Sequence, residues 1–222
     1  MTLPSVALAL AIGLASPVSS ANQARELRPP PRVPFDFRGY LHFDEVFMSA
    51  SQSFDAVVGT SSLTAGGVGV DVLNLWRGVF ARAGLARMGG HGSRVFVAGG
   101  DVVPLNVPVA VSLRTFELGA GWRYAHPRYP NYVFYGGADL LHVGYREKSK
   151  LADETDVTTD GFWGNALFGG VEIRIWKRIV AGGEVQFRSV PNALGEGGVS
   201  ALYQETNLGG FAIRGLIGVR SR

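Results

Sequence analysis

Cysteine is absent from the 222-residue chain, which excludes a disulfide framework, a thiol nucleophile and a Cys-bound metal. Charge is also sparse, at 18% of residues, against roughly 25% in soluble domains. Outside the N-terminus no segment reaches the ~18 consecutive apolar residues that a membrane-spanning helix needs, so a helical membrane protein is excluded. The formal charge is only +3, and the arginines are spread along the chain. A nucleic-acid binder concentrates its cations on one face or stripe, so no nucleic-acid partner is expected. The four histidines (His42, His91, His126, His142) fall in different segments without an HExxH motif. No metal or cofactor is expected.

What is abundant is glycine, 31 residues, about twice the usual share, and a period-2 alternation of apolar and polar side chains. The clearest stretch is 170–188. Val171, Ile173 and Ile175 alternate with Glu172 and Arg174. After Trp176, Lys177 and Arg178, the residues Ile179, Ala181, Gly183, Val185 and Phe187 alternate with Val180, Gly182, Glu184, Gln186 and Arg188. Successive strand residues point to opposite faces, so this is a hairpin with one apolar and one charged side. The apolar side can be buried in a soluble sheet, or it can face lipid around a closed barrel.

At the N-terminus, residues 3–15 are uncharged and mostly apolar, and Ser19-Ser20-Ala21 offers small residues for cleavage. Residues 1–21 read as a signal peptide, too short for a membrane span, although no Lys or Arg precedes the apolar run. Residues 22–34 (NQARELRPPPRVP) read as an extended linker, because three successive prolines forbid helix and sheet pairing.

The remainder, 35–222, divides into eight alternating segments: 37–47, 64–73, 79–88, 115–124, 132–145, 162–175, 179–189 and 209–220. Short connections (74–77, 126–131, 176–178) alternate with long polar or glycine-rich ones (48–63, 89–114, 146–161, 190–208). Short turns at one end and long loops at the other, with an even strand count, is the layout of an outer-membrane barrel. Within 89–114, the β-like runs 94–98 and 107–111 suit a hairpin that prolongs strands 3 and 4. Aromatics cluster near strand ends (Phe35, Phe37, Trp76, Phe80, Trp122, Tyr124, Tyr132, Phe134, Phe162, Trp163, Trp176), as in interfacial girdles. The segments VDVLNLWRGVFA and VEIRIWKRIVA repeat one solution of strand, Trp-basic turn and strand.

On this alternation, the VEIRIWKR-type turns and the late segment PNALGEGGVSALYQETNLGG, the chain resembles the small eight-stranded porin-like and OmpA-like outer-membrane β-barrel domains of Gram-negative bacteria. The resemblance covers about 35–222. It implies an all-β, eight-stranded antiparallel up-and-down transmembrane β-barrel with short periplasmic turns and long extracellular loops. It also implies an outer-membrane location, surrounding lipids as partners, and a monomer. The chain departs from that group at its end, Val219-Arg220-Ser221-Arg222, where many such barrels carry an aromatic residue.

With the apolar faces outward, the interior collects a polar network of Arg38, His42, Asp44, Asp71, Arg82, Glu117, Arg123, Asp139, Glu172, Arg174, Glu184, Gln186, Arg188 and Arg214. Eight strands leave an interior just wide enough for side chains to fill, so these charges are expected to pair rather than line a wide channel. The expected role is structural, adhesive or limited transport, with an extracellular ligand or surface met by loops 48–63, 89–114, 146–161 and 190–208. Two other readings stand beside it. A soluble lipocalin-like barrel binding an apolar ligand would invert the faces and turn Phe37, Leu41, Phe43, Leu118 and Trp122 inward. An outer-membrane lipid-modifying enzyme would need a Ser/His/acid set at the outer rim. His126 sits on a short turn with no serine near it, so no catalytic residue is expected. Asp153, Glu154, Asp156 and Asp160 miss the EF-hand spacing and read as a solvated acidic loop.

Overall fold

The structure, a computed structural model, describes residues 35–151 and 154–221. The expected signal peptide and proline-rich linker lie outside the described residues, as does Asp153 of the acidic loop. The strands are β1 (Asp36–Met48), β2 (Ser62–Trp76), β3 (Val79–Ala98), β4 (Asp101–Ala125), β5 (Tyr132–Leu151), β6 (Glu154–Trp176), β7 (Ile179–Ser189) and β8 (Gly210–Arg220). Each is antiparallel to its neighbours, and the eight close into one barrel in chain order. Closure runs from Arg38↔Arg220 to Met48↔Gly210 between β1 and β8.

The alternation in sequence becomes an alternation of sides. Along β1, every even residue from Asp36 to Met48 is buried, while the odd residues form the outer wall. Phe37, Leu41, Phe43, Leu118 and Trp122 are each 50% exposed or more. The soluble reading with an apolar lumen needs those five residues inside, and all of them stand outside. Of the expected girdle, Trp76, Tyr124, Phe134, Trp163 and Trp176 are exposed, but Phe80 is buried and Phe162 packs inward against the upper apolar cluster. Phe80 shares parity with the inward Arg82, and parity overrides its position near a strand end.

The ends of the barrel differ. At one end β2 and β3 meet in a two-residue turn, where Arg77 and Gly78 both have positive φ (45° and 92°). That conformation matches the twist of paired strands, and glycine adopts it freely. At the other end, two of the four expected long loops are largely strand. The β3–β4 ladder continues to Ala98↔Asp101, turning on Gly99 and Gly100 (φ 60° and 96°). The β5–β6 ladder continues to Leu151↔Glu154. Above the apolar belt neither face of these arms needs to be greasy. The ladder therefore persists where the alternation stops.

The other two long connections fold back over the mouth. Residues 48–63 carry α1 (Ser51–Val58), and residues 190–208 carry α2 (Gly198–Leu202). The backbone N–H groups of Gln52 and Ser53 donate to the Glu205 carboxylate at 3.0 and 2.8 Å, so one loop caps the helix of the other. Phe54 of α1 joins Val46, Leu63, Leu113, Leu141, Val190 and Leu208 in an apolar plug that fills the upper lumen. A second apolar layer, of Tyr40, Leu73, Phe80, Tyr135, Phe168 and Leu216, crosses the lumen nearer the short-turn end.

Bulky inward side chains fit because glycine faces them. A methyl group at Gly69 would overlap the Tyr40 ring. Outward Gly183, by contrast, has open space around it. Gly69→Val is therefore expected to cost about 1–3 kcal/mol, and Gly183→Ala less than about 0.5 kcal/mol. Urea unfolding midpoints in detergent micelles would measure both.

Candidate functional site: an ion-filled lumen beneath a loop-built cleft

Two charged clusters occupy the lumen, separated by the second apolar layer. The central one is built on Arg214 of β8. Its Nε and Nη2 donate to the two Asp44 oxygens at 2.8 and 2.9 Å, and its Nη1 and Nη2 donate to the Glu117 carboxylate at 3.0 and 2.8 Å. Arg188 donates to Asp44 at 2.9 Å and to Gln186 Oε1 at 2.7 Å. Arg82 holds Glu184 through two contacts of 3.0 and 3.3 Å and lies 3.6 Å from Asp139 Oδ1. His42 Nδ1 is 2.8 Å from Asp44 Oδ1. The barrel register dictates these meetings, since Glu184 faces Arg214 and Arg214 faces Asp44 across adjacent strands.

The second cluster lies nearer the short-turn end. Arg38 bridges Asp71 and Glu172, and Arg123 Nη2 donates to Glu172 at 2.6 Å. At the rim Arg220 pairs with Asp36, and Ser221 Oγ donates to Asp36 Oδ1 at 2.6 Å. The end of β8 is thereby fastened to the start of β1.

Above the plug, α1, the α2 segment and the prolonged inner wall of β3–β6 enclose a cleft of about 320 Å³. Its lining is apolar at Phe54, Val57, Val111 and Phe162 and polar at Arg94, Tyr145, Glu147 and Asp160. Tyr145 donates to Glu147 Oε2 at 2.9 Å. Ser53 also lines the cleft. It is 8% exposed, and among the described residues its hydroxyl has no hydrogen-bond partner. The cleft offers an apolar surface, the Ser53 hydroxyl, two carboxylates and the Arg94 guanidinium to a small amphipathic group.

No protein-family model matches the chain, and no curated protein matches it. Among solved structures it is similar to a major outer membrane protein from Thermus thermophilus, with a TM-score of 0.54 at 8% identity over 83% of this chain and 99% of that one. The chain has the fold of an outer-membrane β-barrel. Weaker likenesses link it to Neisserial surface protein A (TM-score 0.49, 10% identity, 84% of this chain and 95% of that one). Another is Ail, the attachment invasion locus protein of Yersinia pestis, in complex with the heparin analogue sucrose octasulfate (TM-score 0.49, 8% identity, 84% and 98%).

In this barrel the residues of the expected interior network lie in the lumen, with one departure. Arg38, His42, Asp44, Asp71, Arg82, Glu117, Arg123, Asp139, Glu172, Glu184, Gln186, Arg188 and Arg214 are buried. Arg174 is exposed. It has the inward parity of Glu172, but it lies just before the irregular register at the β6–β7 turn. Sequence reasoning missed Asp36 and Arg220, although their parity with Arg38 and Arg214 was available. It also missed the cleft, which depends on how two loops fold over one another. The central cluster generates a direct expectation. Arg214→Leu leaves Asp44 and Glu117 short of a buried partner and is expected to cost about 3–5 kcal/mol. Arg178→Gln, an exposed change at a turn, should cost less than about 0.5 kcal/mol. Tryptophan fluorescence during urea titration of both variants in lipid vesicles would check the contrast.

Proposed function

We propose that the chain works in the bacterial outer membrane as a non-conducting barrel that presents a ligand-binding surface outside the cell. The observation that carries this reading is the inversion of polarity. Hydrocarbon side chains cover the outer wall, and paired guanidinium and carboxylate groups fill the lumen. A soluble protein gains nothing by exposing so continuous an apolar belt. Residues 1–21 serve as the export signal, 22–34 as a linker to the barrel, and the long-loop end faces outward.

The two polar clusters and the two apolar layers argue against a transport role, since any path along the axis crosses all four. Binding is left to the cleft under α1 and α2, between the arms of β3–β6. A small amphipathic group of a ligand fits there, its apolar part against Phe54 and Phe162 and a donor group toward Glu147, Asp160 and Ser53.

The absence of native cysteine makes the orientation easy to test. Gly100→Cys, at the tip of the β3–β4 hairpin, should react with a membrane-impermeant maleimide on intact cells. Lys177→Cys, at a short turn, should react only after the outer membrane is opened. Reconstituted into planar bilayers, the protein should show no large stable conductance. Equal labelling of both cysteines, or a wide persistent pore, would contradict the reading.

A further inference from the structure

Arg87 of β3 and Arg114 of β4 are directly opposed in the ladder. Both are exposed on the outer wall, because their neighbours Ala86, Met88, Leu113 and Thr115 are the buried, inward residues. Like charges facing each other across a ladder repel. Arg146 of β5 pairs with Ser112 and is exposed on the same wall, diagonal to Arg114, which pairs with Gly144. Among the described residues, no carboxylate stands beside these three. Glu117 and Asp139 are buried in the lumen, and Glu147 lines the cleft. Glu45, an outer-wall acid two strands away on β1, already accepts from Ser62 and Thr64. Among the described residues, neither Arg87 nor Arg114 forms an ion pair.

One outward step toward the short-turn end, Leu85 and Phe116 face each other and begin the apolar belt. Gly66 on β2 and Gly144 on β5 place no side chain on the wall, which leaves a shallow recess of about 620 Å³ rimmed by Arg87 and Arg114. Packing does not demand glycine at either place. A Cβ at Gly144 would meet only the Arg114 carbonyl oxygen at 3.8 Å, and one at Gly66 only the Phe43 ring at 4.0 Å.

We propose that Arg87 and Arg114 form a site for the phosphate of an anionic membrane lipid, with Arg146 as a further donor and an acyl chain lying in the recess against Leu85 and Phe116. A phosphate between the two guanidiniums converts their repulsion into two charge-assisted contacts, each fork suited to phosphate oxygens. The level is right for a headgroup, since the cations sit at the edge of the apolar belt on the long-loop side. This site rests on the reading of the chain as a membrane-inserted barrel. That reading has its own check, the shift in gel mobility on boiling that a folded small barrel shows in detergent.

The test titrates the purified protein in detergent micelles with dimyristoyl phosphatidic acid, dimyristoyl phosphatidylcholine or inorganic phosphate, and reads bound species by native mass spectrometry. One phosphatidic acid should be retained at least tenfold more tightly than phosphatidylcholine, whose headgroup cation offsets its phosphate. The R87Q/R114Q variant should lose at least tenfold of that affinity, R87K/R114K should fall between, and G144L, which fills the recess, should also weaken binding. Inorganic phosphate should not compete at comparable concentration. Unchanged affinity in R87Q/R114Q, or equal binding of the two lipids, would overturn the site, and effective competition by inorganic phosphate would overturn the acyl recess. Should R87Q/R114Q lose its heat shift, G144L and R87K/R114K decide by the same readout. A wild-type chain without a heat shift would overturn the membrane reading and this site together.

Discussion

The contact on which the barrel depends is the seating of the Arg214 guanidinium between Asp44 and Glu117 at mid-lumen. A buried charge is tolerable only when partners replace its hydration with good geometry, and the forked guanidinium supplies several donors at once. The partners come from β1 and β4, far apart in sequence, and Arg188 and Arg82 extend the same cluster to β7 and β3. No strand can slip by one residue without turning its share of the cluster toward the apolar outside. The hydrocarbon belt forbids the same one-residue slip, and ion pairing adds discrimination against slips of two, which keep the apolar side chains outside.

The filling of the lumen follows from the same constraint. Eight strands enclose too little room for large inward residues at every position. Tyr40, Phe80 and Phe168 are accommodated where the neighbouring strand offers Gly69, Gly121 and Gly137. The glycine content of the chain is in this sense a packing feature of a narrow barrel, not a sign of looseness. Apolar layers alternate with charged ones along the axis, and the upper layer recruits Phe54 from α1 and Val190 and Leu208 from the connection that carries α2. The same connections that close the mouth then build the cleft above it.

Much of this was legible in sequence, for a simple reason. Wherever a strand has oil on one side and charge on the other, its period-2 signature is unmistakable, as in 115–124 and 209–220. Legibility failed where that contrast ended. The arms of β3–β6 beyond the belt have no lipid side, so 146–161 reads as a loop although its ladder continues, and within 89–114 only the β-like runs 94–98 and 107–111 announce the hairpin that prolongs β3 and β4. Arg174 has inward parity but sits at the last regularly paired position of β6, where the register shifts before the turn. Asp36 and Arg220 sit at strand limits, where the alternation runs out before it assigns them a side. The cleft was invisible because Ser53 reaches Tyr145 and Glu147, neighbours on one face of β5, only when α1 folds over the finished barrel.

Which side of the sheet meets hydrocarbon decides every other point. Single cysteines placed along β8 of the cysteine-free chain, spin-labelled and reconstituted in lipid vesicles, report that side through their accessibility to oxygen and to a water-soluble nickel chelate. Labels at 211, 213, 215, 217 and 219 should be open to oxygen and shielded from nickel, while those at 212, 216 and 218 should be shielded from both. Nickel access at the odd positions, or oxygen access at the even ones, would contradict a barrel with hydrocarbon outside and ion pairs within.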